Sequence, residues 1–253
     1  MKKNDYALGV VSISFRSHTP KEILEAARAA GLCCVEWGSD VHAPCTDTTR
    51  LMEIAEMQKA YGIACSSYGT YFHLGETPIE ELESYIAAAK KLGTDILRLW
   101  CGTKSGEEYS DLEKQKLFDQ CRYAAQMAEK AGVTLCMECH SGTYTQRLQD
   151  ALALMREISS PHFRMYWQPF QWQSVEENLT YAKAIAPFTY HIHVFQWKGK
   201  ERFSLHDGLT EWREYLNEFP APRTLLLEFM PDDAIATLSK EADALKMMIG
   251  EGT

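Results

Sequence analysis

Short apolar runs of strand length alternate along the chain with longer stretches in which apolar residues recur at helical spacing. The intervening stretches carry apolar residues at i, i+3 and i+4, which predicts amphipathic helices, the last starting near Asp232. Strict alternation of strands and helices predicts a parallel sheet covered by helices. The eight predicted strands span residues 6–15, 33–37, 62–68, 95–100, 133–139, 163–168, 189–195 and 223–229.

Eight strand–helix units are the number that closes a (β/α)8 TIM barrel, and this α/β barrel is the predicted fold. A doubly wound open sheet is the alternative, but no GxGxxG motif follows the first predicted strand. The chain of 253 residues has no linker or low-complexity segment, and barrels of this length usually form one domain. We therefore expect residues 1–253 to form a single domain.

The net charge of the chain and the length of its apolar runs exclude some classes of binding partner. A formal charge of −9 disfavours nucleic acid, because an acidic surface repels phosphate groups. The N-terminal sequence MKKNDYALGVV lacks an apolar run that ends in a small-residue cleavage site, and no stretch approaches eighteen continuous apolar residues. We therefore expect a cytoplasmic protein that does not interact with membranes.

Eight cysteines raise the question of a metal or redox motif, and the best match is CMEC, Cys136 to Cys139. This motif lies in a predicted strand, where residues three apart point to opposite faces, so the two thiols cannot hold one metal ion. No second CxxC exists in the chain. The cysteines are therefore interpreted as buried thiols of a reducing compartment.

Polar residues are rare inside the predicted strands but gather where the strands end, which is where TIM barrels carry their active sites. Four of them lie on consecutive strands, the fifth to the eighth: Glu138, Gln168, His193 and Glu228. Neighbouring strands are about 4.8 Å apart, so four inward side chains would converge on one ion. Two carboxylates and an imidazole suit Mn²⁺, Mg²⁺ or Zn²⁺.

A structural explanation competes with this site. Glu138 or Glu228 could instead form a buried salt bridge with Arg98 or Arg164. His191 lies on the same strand face as the predicted histidine ligand, two residues before it, and is expected to be a hydrogen-bonded supporting group.

Further residues at the strand ends and in the following loops are candidates for contact with a substrate. Among them, Glu36 could instead be an ion pair at the barrel mouth, Lys198 a solvated lysine, and the aromatic residues part of the core. The predicted substrate contacts are Glu36, Trp37, His42, Tyr68, Trp100, His140, Gln171, Lys198 and His206.

Five stretches, in order along the chain, resemble the sugar phosphate isomerase/epimerase family: VEWGSDVHAP, MECHSGTYT, HIHVFQW, SLHDGLTEW and LLLEF. Together they are specific for the superfamily and poorly specific for the substrate. The resemblance implies a xylose isomerase-like TIM barrel with a divalent metal held by Glu, Asp, His and Glu on strands five to eight. Carried over by position, the ligands are Glu138, Gln168, His193 and Glu228.

The sixth predicted strand departs from the family pattern in the stretch RMYWQPFQW. Gln168 stands where the family has Asp, and Gln171 stands where it often has a substrate-contacting His. A neutral amide oxygen removes one negative charge, so a metal would bind more weakly and be a stronger Lewis acid. Alternatively, the site holds no tightly bound metal and Gln168 forms hydrogen bonds with substrate hydroxyls.

The resemblance implies a sugar isomerase or epimerase in which Glu138 and Glu228 remove and return the proton α to a carbonyl. A lyase or hydratase on a keto-glycoside, or a non-catalytic sugar-binding barrel, are the alternatives. An abasic-DNA endonuclease would need a histidine-rich zinc cluster and a basic groove, which this sequence does not offer. The expected partner is a small-molecule carbohydrate. Trp172 and Trp197 could belong either to a substrate lid or to a homodimer interface.

Overall fold

Eight parallel strands form a closed barrel in the computed structural model of the chain, which describes residues 6–219 and 223–250. Residues 1–5, which open the predicted domain, and residues 251–253 lie outside the described residues. The barrel strands are β1 (Ala7–Val11), β2 (Cys34–Gly38), β3 (Ala64–Leu74), β4 (Ile96–Cys101), β5 (Thr134–Glu138), β6 (Phe163–Trp167), β7 (Thr189–Val194) and, after a short hairpin, β10 (Thr224–Leu227).

The hairpin consists of β8 (Gln196–Lys198) and β9 (Glu201–Phe203), which pair antiparallel outside the barrel. Around the barrel the strand order is β1, β10, β7, β6, β5, β4, β3 and β2, so the predicted TIM barrel is confirmed. The outer helices are α1 (Pro20–Ala29), α2 (Thr48–Tyr61), α3 (Leu82–Leu92), α4 (Asp111–Ala131), α5 (Leu148–Ile158), α6 (Val175–Ile185), α7 (Leu209–Asn217) and α8 (Leu238–Ile249). Within the described ranges, no helix combines the length and apolar character that crossing a membrane requires.

The predicted first strand was too long, because after Val11 the chain turns into a 3-10 helix over Ser12–Phe15. Two serines of this helix bind the ends of neighbouring strands. Ser12 Oγ accepts a hydrogen bond from the N–H of Gly38 at 2.8 Å, and Ser14 Oγ accepts one from the N–H of Phe229 at 2.8 Å. Side chains thus replace the hydrogen bonds that a longer strand would have made.

Two further predicted bounds were wrong. The third strand runs to Leu74 rather than to residue 68, and its pairing with both neighbouring strands shifts register on the way. The last helix begins at Leu238 rather than near Asp232. The Asp232 carboxylate instead accepts hydrogen bonds from the Ala234 N–H at 3.0 Å and from Thr237 Oγ1 at 2.6 Å, which stabilises a turn.

Side-chain caps explain where several helices begin and end. Thr19, Ser110 and Ser174 each form a capping box with the glutamate three residues later, which satisfies free N–H groups of the first turn. The helices α2, α3 and α4 each end at a glycine in the left-handed conformation.

The barrel interior changes from apolar to charged toward the C-terminal ends of the strands. Cys34, Ile96 and Cys136 belong to an apolar interior cluster. Two residues further along the same strands, and therefore on the same face, the side chains are Glu36, Arg98 and Glu138. Cys139 belongs to the other cluster, between barrel and helices, so the CMEC thiols point to opposite faces as predicted.

Gly9 on β1 faces the interior too closely for a side chain. An added Cβ would lie 2.5 Å from the Cys34 carbonyl oxygen and 2.8 Å from Leu226 Cδ2. Gly9→Ala should therefore lower the free energy of unfolding, measured by urea denaturation, by about 3 kcal/mol. Gly62→Ala, where the added Cβ meets nothing within 4 Å but φ is 65°, should cost about 1 kcal/mol. A smaller loss at Gly9 than at Gly62 would contradict this packing argument.

Candidate functional site

The four residues predicted to share a site lie together at the C-terminal end of the barrel. Glu138 ends β5, Gln168 follows β6, His193 lies on β7 and Glu228 follows β10. Their exposed fractions are between 0 and 8%. One ligand atom each of Glu138, His193 and Glu228 lies within 4.8 Å of the others. The predicted convergence is therefore observed, whereas the roles of these residues stay predictions.

Three side-chain oxygens surround one ring nitrogen of this group. His193 Nδ1 lies 3.2 Å from Gln168 Oε1, 3.4 Å from Glu138 Oε1 and 3.5 Å from Glu228 Oε2. A single N–H cannot donate to three acceptors at once. Ligand atoms about 2.1 Å from a divalent cation are themselves about 3.0–3.4 Å apart in octahedral or tetrahedral geometry. The three distances from the nitrogen to the oxygens therefore match the spacing between the ligands of a bound cation.

The other ring nitrogen is held by a carboxylate. His193 Nε2 lies 3.4 Å from Glu36 Oε2, which also accepts hydrogen bonds from Ser67 Oγ at 2.8 Å and the Tyr166 hydroxyl at 2.7 Å. A carboxylate behind a metal-binding imidazole fixes its orientation and leaves the opposite nitrogen free for the metal. Glu36 is fully buried and pairs with Arg98 at 3.1 Å. The predicted substrate contact of Glu36 is therefore wrong, and the alternative, an ion pair, is observed.

Arg98 connects two of the carboxylates. Its Nη1 donates to Glu138 Oε2 at 2.7 Å and its Nε donates to Glu36 Oε1 at 3.1 Å. Trp100 Nε1 also donates to Glu138 Oε2, at 2.5 Å. The salt bridge considered for Glu138 thus exists, but it occupies only one oxygen and leaves the other in the predicted site. Arg164 instead donates to a backbone carbonyl at 3.3 Å.

Burial disfavours every charge in this cluster, so the neighbouring groups decide each protonation state. Burial would raise the pKa of Glu138, but the charge of Arg98 and the contact with His193 outweigh it and lower that pKa to about 2. Burial would lower the pKa of His193, but the charges of Glu228 and Glu36 raise it to about 10. Burial raises the pKa of Glu228 above its ordinary value, and His193 offsets only part of this.

A cavity of about 280 Å³ opens above the cluster, and its lining includes Glu138, Gln168 and Glu228. Three predicted substrate contacts, Trp100, His140 and Gln171, also line it. Its aromatic wall consists of Phe170, Trp172, Phe195, Trp197 and Phe229. A polar floor beneath an aromatic wall is typical of sites for small molecules. A larger groove of about 540 Å³, between α3 and α4, contains none of the predicted site residues.

Three predicted substrate contacts are buried away from this cavity. Trp37 donates through Nε1 to Gln58 Oε1 at 2.5 Å, and the Tyr68 hydroxyl donates to a backbone carbonyl at 2.5 Å. His42 Nε2 lies 3.0 Å from the carbonyl oxygen of His18. Trp37 immediately follows the inward-facing glutamate of β2, and alternation turns it toward the helices.

Two other predicted contacts lie on or after the hairpin and outside the cavity lining. Lys198 Nζ pairs with Glu211 Oε1 at 2.9 Å and is largely exposed. His206 is exposed on the 3-10 turn that precedes α7. The hairpin, absent from the sequence prediction, instead presents Trp197 to the cavity. The structure thus does not bring Lys198 or His206 into the site.

Sequence reasoning missed several groups that line the cavity, among them Arg16, Tyr71 and Phe229. Tyr71 lies beyond the predicted end of its strand. Phe229 has a φ of 54°, a left-handed conformation that is rare for an aromatic residue, and it directly follows Glu228. No sequence pattern marks such a conformation at a phenylalanine.

The chain is similar to known proteins over most of its length. A family model described as xylose isomerase-like TIM barrel matches residues 24–246. A 3-dehydroshikimate dehydratase from Bacillus anthracis is 23% identical over 119 residues, which are 47% of this chain and 42% of that protein. The match therefore spans less than half of that relative.

Solved structures share the fold. The probable 3-DHS dehydratase AsbF from Bacillus anthracis has a TM-score of 0.82 at 17% identity, covering 94% of this chain and 98% of that chain. A D-psicose 3-epimerase from Clostridium cellulolyticum H10, solved with D-tagatose, has a TM-score of 0.67 at 13% identity, covering 96% and 98%. A xylose isomerase-like TIM barrel protein from Mycobacterium smegmatis, in complex with magnesium, has a TM-score of 0.70 at 12% identity, covering 97% of each chain.

Proposed function

The chain belongs to the xylose isomerase-like TIM barrel family, and from this premise we propose that it is a divalent-metal-dependent sugar isomerase or epimerase. One observation carries the proposal: Glu138, His193 and Glu228 converge in the buried interior, and the two glutamates line a cavity of about 280 Å³. Carboxylates beside a metal site are suited to removing and returning a proton α to a carbonyl group. The cavity has room for one small sugar.

The ligands that would hold Mn²⁺, Mg²⁺ or Zn²⁺ are Glu138, Gln168, His193 and Glu228. When bound, such an ion would supply positive charge that polarises a substrate carbonyl. Glu36 holds the far nitrogen of the imidazole, and Arg98 holds the far oxygen of Glu138. The protein therefore orients these ligands before any substrate enters.

Glu138 and Glu228 differ in how tightly neighbouring side chains hold their carboxyl groups. Glu138 Oε2 accepts hydrogen bonds from Arg98 and Trp100, which keep it anionic and fixed. Among the described residues, the Glu228 carboxylate has no closer side-chain partner than His193, at 3.5 Å. Burial also raises the pKa of Glu228, so this carboxyl can hold a proton. We assign removal of the α proton to Glu228. In an isomerase the same carboxyl returns the proton to the neighbouring carbon. In an epimerase Glu138 must first take up a proton from solvent, which it then delivers to the opposite face of the α carbon.

A dehydratase acting on a hydroxylated keto compound is the second candidate, favoured by the partial match to a 3-dehydroshikimate dehydratase. The first step, removal of a proton α to the carbonyl by Glu228, would be the same. The electron pair then expels a β-hydroxyl, which leaves as water with the proton that Glu228 took up. One mobile carboxyl suffices for this reaction, and a keto-glycoside lyase would differ only in the leaving group.

Incubation with ketoses and hydroxyketo acids in D₂O, with Mn²⁺ present, tests the proposal. An isomerase or epimerase incorporates deuterium at the α carbon and forms a new isomer, both visible by NMR. A dehydratase or lyase instead forms an unsaturated product that absorbs in the ultraviolet. Sugar binding by calorimetry without exchange or product for any compound would overturn the proposal in favour of a non-catalytic sugar-binding barrel.

Gln168→Asp should tighten the binding of Mn²⁺ at least about tenfold, because it adds a negative charge beside the metal ligands. Calorimetric titration at fixed pH measures the affinity. Gln171→Asp is the matched control, because it adds the same charge to the cavity wall but outside the group around His193. An equal gain in both variants would argue against Gln168 as a ligand.

A further inference from the structure

Arg16 lines the same cavity as the glutamates, and the proposed reaction leaves it without a role. Its side chain is 42% exposed. Nε donates to Asp40 Oδ2 at 2.7 Å, Nη1 donates to the Ile13 carbonyl oxygen at 3.2 Å, and Nη2 donates to the Tyr71 hydroxyl. These partners come from three separate segments of the chain. The guanidinium is therefore held in place before a ligand arrives.

The held guanidinium keeps donors for a ligand. A guanidinium has five N–H groups, and the protein uses one on each of its three nitrogens, so two remain. A carboxylate accepts two N–H groups of one arginine in a matching planar geometry. The other arginine of the cavity lining, Arg98, is buried and already pairs with two glutamates. Arg16 is therefore the arginine of this lining that has N–H groups free for an anionic ligand.

The charges around Arg16 favour a ligand group with one negative charge over a group with two. Asp40 already neutralises part of the charge of Arg16. No lysine lines the cavity within the described part of the chain. A phosphate dianion normally needs several cationic or N–H donors, whereas a carboxylate needs one guanidinium.

Arg16 is also connected with the reacting groups. Tyr71, which holds Nη2, packs edge-on against Trp100 with ring centroids 5.2 Å apart. Trp100 in turn donates to Glu138. Tyr71 and Trp100 thus connect the guanidinium of Arg16 with the catalytic carboxylate of Glu138.

We propose that the substrate is a hydroxylated keto acid whose carboxylate is bound by Arg16 while its carbonyl end reaches the glutamates. This inference rests on the proposed function and narrows its substrate class from neutral sugars to sugar acids and related cyclic acids.

Calorimetry with shikimate and methyl shikimate tests the inference, because the two probes differ in the charged carboxylate. The Mn²⁺-loaded protein should bind the acid at least about tenfold more tightly than the ester. Arg16→Gln should abolish this preference. Asp40→Asn should preserve or increase it, because it removes the competing anion. No preference in the unmodified protein, absence of binding included, would overturn the inference.

The matched pair also excludes a purely structural role. If the Arg16–Asp40 pair only connects two loops, both variants weaken the acid and the ester alike, and the inference falls. Deuterium exchange into a panel of both neutral ketoses and hydroxyketo acids tests the proposed function separately. If Arg16→Gln still shows exchange and still prefers the acid, the proposed role of Arg16 is wrong and the proposed function stands. If the acid binds through Arg16 but no keto compound shows exchange, the role of Arg16 stands and the proposed function is wrong.

Discussion

Glu228→Gln should lower the rate of α-proton exchange at least about a thousandfold while leaving the fold intact. The amide has the shape of the carboxyl group but cannot take up a proton. Burial already disfavours the charge of Glu228, and His193 keeps the carboxylates of Glu36 and Glu138 beside it when that charge is removed. Deuterium incorporation measured by NMR reports the rate, and circular dichroism reports the fold.

A buried glutamate outside the cavity provides the control. Glu241 on α8 is 4% exposed and accepts hydrogen bonds from Ser204 Oγ at 2.8 Å and from the Leu205 N–H at 2.7 Å. Glu241→Gln should reduce stability without a comparable loss of exchange. Exchange within about tenfold of the unmodified rate in Glu228→Gln would show that another group moves the proton. Glu138→Gln is a less specific test, because it also removes a partner of Arg98.

Arg98→Met should lower the free energy of unfolding by about 3–5 kcal/mol, because it leaves Glu36 and Glu138 buried without their cation. Arg98 is 1% exposed, and its guanidinium lies 3.1 and 2.7 Å from the two carboxylates. Urea denaturation at pH 7 measures the loss. The difference from the unmodified protein should narrow on acidification. The pKa of Glu138 is lowered from 4.5 to about 2, so stability due to its charge is lost as pH falls between these values.

Arg122→Met is the matched comparison, because Arg122 also connects two acidic residues, Asp119 and Glu157, but at the surface. Exposed ion pairs contribute little, so this variant should lose less than about 1 kcal/mol. Similar losses in the two variants would mean that the buried bridge is not a special contributor to stability.

The alternation of strands and helices sufficed to predict the barrel, and the position of polar residues at strand ends sufficed to bring four site residues together. Glu138, Gln168, His193 and Glu228 were identifiable because a parallel barrel places the ends of consecutive strands side by side. The nature of each contact was beyond the sequence. Arg98 was considered as a competing partner of Glu138, and the structure makes it both that partner and a support of the site.

The failed residue assignments have no single cause. Trp37 and Tyr68 each follow an inward-facing residue, so alternation turns both toward the helices although they lie near strand ends. Tyr71 lies in the cavity because the third strand extends past its predicted end with a shifted register. The left-handed backbone at Phe229 is accompanied by a hydrogen bond from its N–H to Ser14, 215 residues earlier in the chain, and no local pattern predicts it.

The contacts of Glu36 also bear on whether fragments of the barrel can fold separately. From β2 it reaches Tyr166 on β6, the diametrically opposite strand, and His193 on β7. Two of the buried contacts, Arg98–Glu138 and His193–Glu36, cross between the half-barrels β1 to β4 and β5 to β10, so each isolated half loses partners of its buried charges. Severing the chain between α4 and β5 should thus yield fragments that are insoluble or unfolded alone and become ordered only when mixed.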